Sequence, residues 1–216
     1  MTETTDYVVL DVETVASPDC ATWLDPVKAP TNYKDPLKIA AYCEEKRNEQ
    51  ITRAGLEADL CEIVALGTWA SQDDELRVET RRHHTEKAMI AWAWDAIGYR
   101  RVIGFNILTF DLPVLMRRSQ YLSVPFPELG LDRYRTPHLD LLERLSFHGR
   151  VAMRSLAFYC RRFGIPCDDP VTGADIAGLV AAGDWMAIEQ HVRSDIIKTR
   201  ALAQRLGWVA KEVETC

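Results

Sequence analysis

Apolar residues along this 216-residue chain fall into short runs bounded by polar turns and into stripes at helical spacing. Short apolar or alternating runs predict strands; recurrence at three- and four-residue steps predicts helices. YVVLDVETV, residues 7–15, reads as the first strand. A loop rich in Pro, Asp and Asn follows over 16–36, then a helix over 37–56 with Ile39, Tyr42 and Cys43 at helical spacing between charges. EIVALGTWA (62–70) and LRVETRRH (76–83) read as a hairpin closed by the polar SQDDE. The next helix, 85–98, starts at a Thr cap and stops at Gly. Its Trp92 and Trp94 are expected to pack in the core rather than stack on a ligand.

RRVIGFN (100–106) predicts a short fourth strand, and FDLPVLMRRSQYL (110–122) a helix whose Pro113 falls in the tolerant first turn. TPHLDLLERLSF gives a brief extended piece and a helix, SLAFYCRRFGI another helix closed by Gly164 and Pro166, and DIAGLVAAGD a short one. The last helix follows Gly183 with Asp184 as its cap, and Ile188, Val192, Ile196 and Thr199 form one stripe along it. Strand, insert, hairpin, helix, strand and then mostly helices predict a mixed sheet covered by helices. The expectation is an α/β class and one domain over 1–216, with an insert at about 16–60.

Composition narrows the class. With 47% apolar residues the chain can bury a full core. The N-terminus lacks a basic stretch followed by an apolar one, and no apolar run approaches the ~20 residues of a membrane span. A soluble, cytoplasmic protein is expected. Six cysteines without a C-x-x-C pair, and far from His83 and His84, are expected to be ordinary thiols rather than zinc ligands or disulfides. The net charge of −6 argues against a protein that coats nucleic acid, yet residues 100–162 hold eleven Arg, no Lys and five acids. A local basic surface on an acidic chain suits a small phosphate footprint, or simply a solvated face.

Three places carry candidate chemistry. Asp11 and Glu13 interrupt the apolar first strand and, two residues apart, point to one face at its carboxyl end. In open α/β sheets ligands bind there. Two converging carboxylates repel unless a cation lies between them or one is protonated; alternatively the strand end is exposed and both are hydrated. Asp111, in VIGFNILTFDLPVL, has a local explanation as a helix N-cap, which leaves the Gly-Phe-Asn at the strand end without a role. His191 and Asp195, four apart on the last helix, share a face beside the apolar stripe, as a surface pair or as part of a site.

Taken together, LDVET, GFNILTFDLPVL and HVRSDIIKTRAL resemble the three exonuclease motifs of the DnaQ-like DEDD superfamily. The likeness is greatest to the proofreading exonuclease domains of family-B DNA polymerases and their stand-alone bacterial and phage relatives. It implies an RNase H-like fold and two divalent metals, Mg²⁺ or Mn²⁺, bound by Asp11, Glu13, Asp111 and Asp195. Hard oxygen donors without Cys agree with those ions. By position, Asp11 would bridge the metals, Glu13 and Asp195 would hold the first, and Asp111 the second, partly through water. Thr14, Asn106 and Phe110 sit where the family contacts the terminal nucleotide and orders the site.

The third motif departs from its relatives. They carry Tyr four residues before the last Asp or His five before it; this chain has His191 four before Asp195, with Gln190 preceding it. One residue on a helix is a rotation of about 100°. His191 is expected in the tyrosine's place, positioning or deprotonating the attacking water; alternatively it only hydrogen-bonds the scissile phosphate, or activity is reduced. The resulting expectation is a 3′–5′ exonuclease acting on single-stranded DNA or 3′ ends and releasing nucleoside 5′-monophosphates. Arg117 and Arg118 would provide backbone contacts, and proofreading would need a polymerase or repair partner. RNA or short oligonucleotides as substrate, or a silent member that binds nucleic acid without cutting, are the alternatives.

Overall fold

The computed structural model describes residues 6–72, 74–132 and 134–210. Asp73 of the predicted turn, Arg133 of the arginine-rich stretch, Cys216 and the N-terminal MTETT lie outside the described residues. Strand β1 (Tyr7–Ala16) is followed by the short helix α1 (Cys20–Trp23) and the long α2 (Pro36–Ala54), which together make up the insert. Strands β2 (Cys61–Ala70) and β3 (Glu75–Thr80) form the hairpin, and α3 (Glu86–Ile97) leads to β4 (Arg101–Gly104). Then come α4 (Asp111–Leu122), β5 (Leu139–Asp140), α5 (Leu141–Leu145), α6 (Leu156–Arg162), α7 (Ile176–Ala182) and α8 (Trp185–Arg205). The helix starts follow their caps: the side chains of Asp35, Thr85, Asp140, Ser155 and Asp184 each accept a backbone N–H in the first turn.

The sheet runs β3-β2-β1-β4-β5. β1 pairs antiparallel with β2 and parallel with β4, which pairs parallel with β5. The carboxyl ends of β1, β4 and β5 therefore share one edge, where ligands bind in open α/β sheets. Even positions of β1 (Val8, Leu10, Val12) enter a core with α3 and α4. On the other face Val9 joins a core built from α6, α7 and α8, with Ile188, Val192 and Ile196 fully buried. Trp94 belongs to the α3/α4 core and donates its Nε1–H to Ser119 Oγ at 2.7 Å, while Trp92 packs at its margin. The two tryptophans thus pack as expected.

Two glycines set the spacing near the acidic edge. A Cβ on Gly67 of β2 would lie 2.4 Å from Val192 Cγ1, so its absence lets α8 sit directly on the sheet. A Cβ on Gly104 would lie 2.0 Å from Ile107 Cγ2 and 2.9 Å from the Leu10 carbonyl oxygen. Asn106 then takes a left-handed φ of 70°, a conformation that Asn tolerates better than most residues. Together these explain the Gly-Phe-Asn that local reasoning left open: it folds the chain sharply from β4 toward α4. Among the described residues, no helix is long and apolar enough to cross a membrane.

Candidate active site

The strand, the turn and the last helix bring Asp11, Glu13, Asp111 and Asp195 to one place. Asp11 and Glu13 occupy alternate positions of β1, on the face that α8 covers. The β1–β2 ladder slips between Glu13 and Thr14, an irregularity of the kind that re-aims side chains next to sites. Asp111 is not a helix cap: Phe110 holds that position without a side-chain bond, and Asp111 Oδ1 accepts from Val12 N at 3.0 Å, across to β1. The turn before it is held by Asp140, whose Oδ1 accepts from Asn106 N and Oδ2 from Leu108 N, both at 3.0 Å. Oδ1 of the same carboxylate also caps α5 through Leu142 N and Glu143 N.

These carboxylates sit badly together without help. Burial raises the pKa of Asp11 well above the usual carboxylate range, and the charges of Glu13, Asp195 and Asp111 raise it further. Asp111 is raised well above that range mainly by burial, although backbone N–H groups oppose the shift. Glu13 is raised by burial against the opposing pull of His191. Asp11 Oδ2 is buried and accepts no hydrogen bond from any described residue. An ionised oxygen in that position calls for a cation. Four carboxylates, one of them with an orphaned oxygen, would suit a divalent ion such as Mg²⁺ or Mn²⁺.

His191 is 4% exposed and lies between two acids. Its Nε2 is 3.2 Å from Glu13 Oε1 and its Nδ1 is 2.7 Å from Asp169 Oδ2. Burial pushes its pKa down, but the Glu13 hydrogen bond, the Asp195 and Glu13 charges and the Asp169 hydrogen bond outweigh this, and it is raised to about 9. Without a metal, the ring at neutral pH is therefore an imidazolium donating at both nitrogens. Neither nitrogen offers a lone pair to a water, so in this state the ring is not a proton acceptor. Lys198 closes the arrangement, with Nζ 2.9 Å from Asp195 Oδ1 and 3.5 Å from Asp169 Oδ2.

Asp169, His191 and Asp195 also bring one ligand atom each within 4.8 Å of one another, a spacing that suits a metal ion. The imidazolium and the Lys198 ammonium already neutralise that trio. The unbalanced charge lies instead around Asp11. Sequence reasoning passed over both Asp169 and Lys198. Lys198 stands three residues after Asp195 on α8, so helical spacing held a signal; Asp169 lies in the irregular segment between α6 and α7, where no spacing marks it.

The other candidates are dispersed. Thr14 Oγ1 donates to the Gly55 carbonyl, tying β1 to the end of the insert. Asn106 and Phe110 frame the turn before Asp111. Arg117 is half exposed and pairs with Asp59 at 3.0 Å. Arg118 is largely buried, and its Nε and one terminal nitrogen each lie 2.7 Å from a different oxygen of buried Glu86. That pairing places the Arg118 charge against Glu86 rather than among the four carboxylates.

The fold is that of a polymerase-associated exonuclease domain. The structure aligns with that of the family B DNA polymerase from the hyperthermophilic archaeon Pyrobaculum calidifontis at a TM-score of 0.60 and 16% identity. The alignment covers 94% of this chain and 24% of the polymerase, so the chain spans about a quarter of that protein and shares with it an RNase H-like α/β fold. No curated protein matches the chain in sequence. Residues 55–215 match the family described as "Predicted 3′-5′ exonuclease related to the exonuclease domain of PolB", and the chain belongs to that family. The matched stretch includes Asp111, His191 and Asp195; Asp11 and Glu13 precede it.

Proposed function

We propose that the protein is a 3′–5′ exonuclease that removes nucleoside 5′-monophosphates from single-stranded DNA, using two Mg²⁺ or Mn²⁺ ions held by Asp11, Glu13, Asp111 and Asp195. The observation that carries this reading is the buried, unpartnered Asp11 oxygen among mutually repelling carboxylates. Charge balance supports the number of ions. Six acids, the four proposed ligands with Asp169 and the buried Asp140 whose charge acts on Asp111, face one imidazolium and one ammonium, which leaves four negative charges. One divalent ion would leave the site negative and repel a phosphodiester; two neutralise it. When bound, a pair of such ions supplies activation of a water and stabilisation of the leaving 3′ oxygen.

The chain's own groups do the rest. Asp111 is fixed by the Val12 N–H, so its carboxylate is preorganised. With its N–H groups committed to Glu13 and Asp169, His191 offers a substrate its positive charge, which suits a nearby phosphate oxygen; a metal that drew Glu13 away would free Nε2 to face the attacking water. Asn106, Phe110 and Thr14, at the carboxyl edge, suit contacts to the terminal nucleotide. Arg117, paired with Asp59 only at the exposed surface, can exchange that partner for the backbone; Arg118 gives its charge to Glu86.

The test is digestion of a 5′-labelled single strand with Mg²⁺ or Mn²⁺, resolved as a product ladder, with an RNA strand of equal length in parallel. The expected result is stepwise shortening from the 3′ end that EDTA stops and that Asp195→Ala abolishes. His191→Ala should lower the rate by about 10²-fold. Metal-dependent binding of the strand with no product over hours would leave a binding protein and overturn the reading; a ladder indifferent to EDTA would remove the metals.

A further inference from the structure

We propose that Asp169 is a positioning residue for this site: it fixes His191 against Glu13 and Lys198 against Asp195. This inference rests on the exonuclease reading above. Asp169 forms no hydrogen bond with any of the four carboxylates, yet it reaches Glu13 through His191 and Asp195 through Lys198. Its two oxygens divide the work. Oδ1 accepts from Val171 N at 3.0 Å and so anchors the segment that carries it. Oδ2 faces both His191 Nδ1 and Lys198 Nζ. Two cationic donors converging on one oxygen call for a carboxylate rather than an amide.

The connections run in a line: Glu13, His191, Asp169, Lys198, Asp195. One end is on β1 and the other on α8, so the network spans the gap across which the metal ligands must meet. Imidazole held at Nδ1 has its ring plane set, which determines where Nε2 points relative to Glu13. Lys198 held from behind keeps its ammonium at Asp195 Oδ1. Removal of Asp169 frees both side chains to swing and leaves two buried cations sharing the remaining acids. Outer partners of this kind characteristically change metal affinity or activity by about 10–100-fold when lost.

The experiment compares wild type with Asp169→Asn and Asp169→Ala by three measurements. Mn²⁺ binding by calorimetry, without substrate, should weaken about 10-fold in Asp169→Ala and less in Asp169→Asn, which retains one acceptor oxygen. In ¹H–¹⁵N spectra the His191 Nδ1–H, protected in wild type, should vanish by exchange in Asp169→Ala. On single strands, kcat should fall about 10–100-fold with KM for the strand within twofold. Wild-type Mn²⁺ affinity together with a retained Nδ1–H signal in Asp169→Ala overturns the proposal. If Asp169→Ala does not fold, Asp169→Asn decides: unchanged affinity and kcat there also overturn it. Should wild type bind Mn²⁺ but cut nothing, the exonuclease reading fails, while calorimetry and spectra still judge Asp169.

Discussion

The buried charges at the site make a signed prediction about stability against pH. The perturbation is a rise from pH 6 to pH 10 in EDTA. His191 has its ordinary pKa near 6.5 in the unfolded chain and about 9 in the folded one. A group whose pKa is raised by folding contributes stability that is complete below its unfolded value and is lost as pH rises through its folded value. The window is thus about 6.5 to 9. A difference of about 2.5 units, at about 1.4 kcal/mol per unit, makes the loss on the order of 3 kcal/mol. Asp11, Glu13 and Asp111 are also raised, so their contributions are lost as pH climbs above the unfolded carboxylate range, in the same direction but starting lower.

Urea unfolding followed by tryptophan fluorescence measures this directly, with the slope m checked for constancy so that midpoints report stability. His191→Gln supplies the comparison, since it keeps a donor but cannot titrate. Wild type should lose about 3 kcal/mol between pH 6 and pH 10 beyond any loss in the variant. Saturating Mg²⁺ should shrink that difference, because cation charge competes with the proton for the same carboxylates. Equal pH slopes in wild type and variant, or greater stability of wild type at pH 10, would show that the imidazolium is not held as described.

Other consequences are equally direct. Glu86→Ala should cost about 3–5 kcal/mol in urea unfolding, because it strands the Arg118 guanidinium and the Ile63 N–H that Glu86 Oε1 accepts. A loss under 1 kcal/mol would mean that the pair is hydrated. Gly67→Ala should cost about 1–3 kcal/mol and lower the hydrolysis rate, since its methyl displaces Val192 and with it the helix carrying His191 and Asp195; unchanged melting and rate would contradict that packing. Arg117→Ala should raise KM for a single strand with kcat preserved, measured across substrate concentration at fixed Mg²⁺, and unchanged KM would remove it from the binding surface.

What the amino-acid order revealed, and what it hid, follows from the range of the interactions involved. Every predicted strand and helix exists to within a few residues, because caps such as Thr85 and Asp184, and stripes such as Ile188–Val192–Ile196, are local. The α/β class followed from element order alone. Asp111 shows where locality misleads: a cap explanation sufficed nearby, yet its carboxylate serves Val12, 99 residues away. Arg118 is the converse case. It stands one residue from Arg117 in an apparently uniform basic pair, but helical rotation turns it toward Glu86 and leaves Arg117 at the surface. Sequence gives the charge of such a side chain and not the partner that consumes it.

His191 combines a local and a long-range determinant. Its spacing from Asp195 correctly put both residues on one face of α8, and its reference pKa near neutrality suggested a base. That suggestion assumed an ordinary environment. Asp169, 22 residues earlier and in an irregular segment, and Glu13, on a strand at the other end of the chain, supply the acids that raise it to about 9. In the metal-free site the ring is thus a charged donor, and its part in the tyrosine's place is what the His191→Ala assay reads. A tyrosine near neutral pH is an uncharged donor, and an imidazolium clamped by two carboxylates is a donor too, with a positive charge added. In the metal-free site the two carboxylates are what hold a titratable ring as a donor.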